Sequence, residues 1–139
     1  MAWRGRSIAV AMCLSAWSAA AHDLVTSESA ERYLARADGD LAVIKSREPA
    51  AMRAAAHCDL GRMLDEVRDL LNRDISTHGR VQGLPSNFLV AELKARGAPL
   101  AGTGQGGRFA ANVSHYRDCL RLSPDGLDAA DAMFRLLQC

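Results

Sequence analysis

Residues 49–75 read PAAMRAAAHCDLGRMLDEVRDLLNRDI, and their spacing decides the fold class. Met52, Ala56, Leu60, Leu64, Val67, Leu71 and Ile75 recur at three- and four-residue steps, which puts them on one face of a helix. Met63 and Leu70 widen that stripe. Pro49 suits the first turn, where a missing N–H costs nothing, and Gly79 is placed to stop the helix. Asp65 and Asp69 stand four apart with Arg62, Arg68 and Arg73 nearby, a pattern that predicts a salt-bridged exposed face.

The same periodicity extends outward in both directions. Ala30, Tyr33, Leu34, Ala37, Leu41 and Ile44 predict a helix over about residues 28–46, with Ser27 as its N-cap. Gly39 interrupts that pattern and weakens it. Residues 76–85, STHGRVQGLP, form a polar connection. Ser86 is then expected to cap a shorter helix in which Phe88, Leu89 and Leu93 pack and Gly97 supplies the left-handed stop. A second loop over residues 98–108 contains the glycine-rich run 102–107. Phe109, Val113, Tyr116 and Leu120 open another helix. Ser123 and Pro124 predict a stop and restart, with Ser123 as N-cap, and Leu127, Ala130, Phe134 and Leu137 as the packed face of the last helix.

No stretch alternates with period two. The expected fold is therefore all-α, a small four- or five-helix bundle. The last pair of helices, Tyr116 to Gln138, resembles a tetratricopeptide-type hairpin over one unit, but no repeat of about 34 residues recurs, so no family follows from it.

The N-terminus predicts export. Arg4 and Arg6 make a short cationic start, residues 7–18 are an apolar run, and Ala19-Ala20-Ala21 offers small residues before a cut at His22. This is the three-part layout of a signal peptide, and the run falls short of the ~20 residues that span a bilayer. The expected organisation is a signal peptide at 1–21 and a single helical domain at 22–139. Cys13 follows Met12 and not a small residue, which disfavours lipoprotein processing. The expected location is periplasmic or secreted, and the protein is not expected to be integral to the membrane.

Charge narrows the partners. The chain has 17 basic and 16 acidic residues. The leader carries two of the basic ones and no acidic one, so 15 basic residues face 16 acidic ones after cleavage. That balance gives no electrostatic reason to bind nucleic acid or an anionic membrane.

Cys58, Cys119 and Cys139 remain after cleavage. An oxidising compartment favours one disulfide and leaves one thiol. Cys119–Cys139 would need the ends of a helical hairpin to unwind. Cys58–Cys119 is expected in preference to Cys58–Cys139, because Cys139 is the last residue.

Several motifs fall short of a defined chemistry. The run at 102–107 lacks the preceding strand and the Gly-Lys-Ser/Thr ending of a P-loop, although Arg108 and the N–H groups before Phe109 have the makings of an anion-holding helix start. His115 and Cys119 share a helix face, whereas His57 and Cys58 point about 100 degrees apart, and a Cys58, His115, Cys119 zinc or copper site ranks below the disulfide. His22, at a new N-terminus, offers an amine and a ring nitrogen to copper, and with His115 it makes the alternative metal reading. No Gly-x-Ser-x-Gly elbow is present, so an enzyme is not expected and no cofactor is required. Asn112-Val113-Ser114 is a glycosylation sequon by pattern. The expectation is an exported helical protein that binds another exported or envelope protein, as an accessory subunit, adaptor or inhibitor. The partner-binding residues are not identified by sequence.

Overall fold

A computed structural model of the protein describes residues 25–78, 83–100 and 112–138. The leader, His22, Gly79, the glycine-rich run, Arg108, Phe109 and Cys139 lie outside the described residues. Within them the chain forms α1 (Ser27–Lys45), α2 (Ala50–His78), α3 (Leu84–Ala95), α4 (Val113–Leu122) and α5 (Ala129–Leu137), with no strand. The all-helical class is as expected.

The 29-residue α2 is the spine. Its predicted stripe is buried from Ala56 to Leu71, while Met52 stays half exposed at the first turn. Leu60, Met63, Leu64, Val67 and Leu71 pack with Ala30, Leu34 and Ala37 of α1 and with Leu89 and Leu93 of α3. A second cluster sits on another side of α2, where Ala54 and Cys58 meet Tyr116, Cys119 and Ala132. Being covered from two directions is why α2 is buried well beyond one stripe.

Helix ends account for most departures from the sequence reading. Thr26, not Ser27, caps α1, and it forms a reciprocal capping box with Ser29, satisfying orphan N–H groups at the first turn. α3 begins one turn earlier than expected. Gly83 is its N-cap, with φ of 80° that favours glycine, and Pro85 lies in the first turn. Ser86 is therefore inside the helix and buried, and Phe88 points out. Gly97 ends α3 with φ of 78°, and Ala98 N–H donates back to the Leu93 carbonyl at 2.9 Å, a left-handed stop as predicted.

Ser123 closes α4 instead of opening the next helix, because its N–H donates to the Cys119 carbonyl. Two tight turns follow, with Gly126 N–H donating to Ser123 O and Ala129 N–H to Gly126 O, both at 3.1 Å. α5 starts only at Ala129. Its buried residues are Ala129 and Ala132, with Leu136 packed against the same cluster. The expected face of Leu127, Ala130, Phe134 and Leu137 is turned to solvent. The two alanines let α5 sit close to the spine in a way the large side chains would not.

Candidate functional site

The chemistry-bearing residues converge where α4 and α5 cover α2. Cys58 and Cys119 form a disulfide with a Cα–Cα separation of 5.6 Å, so the expected pairing is present and neither thiol is available as a metal ligand. Close approach of α4 is possible because Gly61 has no side chain. A Cβ there would lie 2.8 Å from Tyr116 Cε1, inside van der Waals contact.

Next to the disulfide, His57 of α2 and His115 of α4 face each other with their Nδ1 atoms 3.2 Å apart. Their rings are 5.5 Å between centroids and tilted by 37°. Burial holds the His57 imidazole below its usual pKa, and the guanidinium groups of Arg121 and Arg53 add to this while Asp118 opposes it. His115 is lowered by burial and then by His57, again with Asp118 opposing. Both rings are consequently biased towards the neutral form. From spacing alone His115 falls on this face, whereas His57 points away from Cys58. On the structure, α4 is broad enough to meet both. Among the described residues no group of three or more His, Cys, Asp or Glu side chains is placed to hold a metal ion.

Two turns further along α2, Asp65 is buried and not on the predicted exposed face. It accepts hydrogen bonds from Asn112 Nδ2 and the Tyr116 hydroxyl. Arg68, fully buried, lies 3.6 Å from it, and Arg135 of α5 reaches its other oxygen at 3.3 Å. The burial has a physical cause: Asn112 and Tyr116 arrive from α4 to cover carboxylate and guanidinium, and a buried charge is tolerated when it is paired and hydrogen-bonded. Burial and the Asp65 contact push the Tyr116 hydroxyl well above its ordinary pKa. Arg62 extends the network to Asp128 at 3.0 Å and Asp131 at 3.1 Å. These bonds fix the rotation of α5 about its own axis.

That rotation leaves Met133 at 54%, Phe134 at 59% and Leu137 at 80% exposure, and Leu127, in the turn before α5, is at 103%. Ala130 is exposed between them. The charged side chains of α5, Asp131 and Arg135, are both engaged in the network behind. A second apolar pair, Leu84 and Phe88, lines a depression with Ser27, Glu31, Pro85 and Asn87 on the α1–α3 side.

In comparisons with known proteins, the chain matches no family, no curated protein and no solved structure. The site is therefore read from its own geometry. No helix among the described residues is long and apolar enough to cross a membrane.

Proposed function

We propose that this is a small exported protein that binds another exported or envelope protein through the outward row of α5. The observation that carries the reading is the exposure of Phe134 and Leu137 at helical spacing, with Met133 beside them and Leu127 in the preceding turn. Contiguous apolar area of this kind on a folded surface marks an interaction site. Each large side chain withdrawn from water on docking contributes on the order of 1.5–3 kcal/mol. The row suits an apolar helix face of the partner, packed helix against helix. A lipid surface fits less well, since membrane-surface helices carry basic residues on the polar face, and α5 holds one arginine already paired with Asp131. Export is supported by the leader pattern and by the disulfide.

The test is site-specific photocrosslinking in the native host from a photoreactive residue at Ala130. The expected result is a discrete product with a different protein, lost in Phe134→Asp and Leu137→Asp and kept in Leu84→Asp. Crosslinking only to a second copy of the chain, or a product indifferent to Phe134 and Leu137, overturns the reading.

A further inference from the structure

The α5 row leaves the histidine pair behind it without a role. His57 and His115 come from helices joined by the disulfide one residue away from His57 and four from His115. Their Nδ1 atoms point at each other across 3.2 Å. Two imidazole nitrogens bound to one ion at ~2.0–2.1 Å stand about 3.3 Å apart in tetrahedral coordination and about 2.9 Å apart in tetragonal coordination. The observed 3.2 Å lies between these values, so the rings reach one ion by turning about their side-chain torsions, without moving either helix.

We propose that His57 and His115 form a two-imidazole seat for a divalent transition metal, copper(II) in preference to zinc(II), with Nδ1 of each ring as ligand. The preference follows from nitrogen ligands and the ordinary order of divalent affinities. With two ligands from the chain, the remaining positions fall to solvent or to a ligand from outside, so this is an open site and not a structural four-ligand one. Without a metal, the same 3.2 Å holds one Nδ1–H···Nδ1 bond between neutral rings. Metal entry needs the donor ring only to shift its proton from Nδ1 to Nε2, so no proton is released and the charge change is that of the ion alone. The disulfide fixes the two helices, so the ligand spacing is set before the ion arrives. His22 and Cys119, the companions that sequence reasoning offered to His115, have no part in this seat. Cys119 is oxidised.

The experiment uses the full chain with its disulfide intact and copper(II) as the probe, read by calorimetry and electron paramagnetic resonance. One ion per chain is expected, with binding retained in the His22→Ala, His78→Ala double variant, where only His57 and His115 remain. In that background the spectrum should show two imidazole nitrogens. His57→Gln and His115→Gln should each weaken binding about tenfold or more, which corresponds to 1.4 kcal/mol. Loss of saturable binding in the His22→Ala, His78→Ala variant, or a spectrum with one nitrogen, overturns the proposal even if the glutamine variants fail to fold. Unchanged affinity in folded His57→Gln and His115→Gln overturns it as well.

Discussion

At the scale of single residues, the α1–α2 contact holds a group set apart by its proton. Asp40 faces Asp59, and burial, the Asp59 charge and the hydrogen bond between the two raise its pKa to about 7. Asp59 is held low by the Arg36 fork, which donates at 2.8 and 2.5 Å. The sign for stability follows directly. An unfolded Asp40 releases its proton near 3.8, whereas the folded one keeps it to about 7. Folding therefore takes up a proton in that window, and stability falls as pH rises through it. Asp40→Asn, which keeps a neutral donor beside Asp59 at every pH, should match wild type near pH 4 and exceed it at pH 8 by roughly 4 °C in melting temperature. Identical melting curves at pH 8 would show that Asp40 carries no such shift. None of this was visible in sequence, because Asp40 and Asp59 are 19 positions apart and meet only when α1 packs on α2.

At the scale of elements, long amphipathic helices were legible and short ones were not. α1 and α2 follow from stripes sustained over five or more turns, and their ends differ from the reading by a residue or so at Thr26 and Ala50. α5 has apolar residues on two faces, and periodicity alone does not say which goes inward. Packing decides it: Ala129 and Ala132 fit against the disulfide-tied pair of helices, and Arg62 and Arg135 pin the register through Asp131. The Asp65–Arg68 pair was misplaced for a related reason. Charges at helical spacing read as surface, and the residues that bury them, Asn112 and Tyr116, lie 47 and 51 positions away. The disulfide was legible because three cysteines beyond the expected leader leave few ways to pair. It closes a loop across 61 positions, so Cys58→Ser or Cys119→Ser should lower unfolding free energy by about 2–4 kcal/mol, and denaturant titration under oxidising conditions measures it. An unchanged midpoint would mean that the helix contacts alone hold α4 on α2.

At the scale of the whole molecule, α2 carries two separate apolar clusters, one shared with α1 and α3 and the other with α4 and α5. The first is mostly large aliphatic side chains. The second is small, sulfur-linked and backed by a polar network, and it is the one that presents the α5 row. A helix pinned by ion pairs and alanines has its bulky residues to spare for a partner, and this division links the packing of the second cluster to the proposed binding. The central claim is that Phe134 belongs to the surface and not to the core. The direct measurement is the unfolding free energy of Phe134→Asp by urea titration, with Ala132→Asp alongside. The account predicts that Phe134→Asp stays within about 0.5 kcal/mol of wild type while Ala132→Asp loses several. A loss of about 3 kcal/mol in Phe134→Asp would put that ring in the core and remove the surface on which the binding proposal stands.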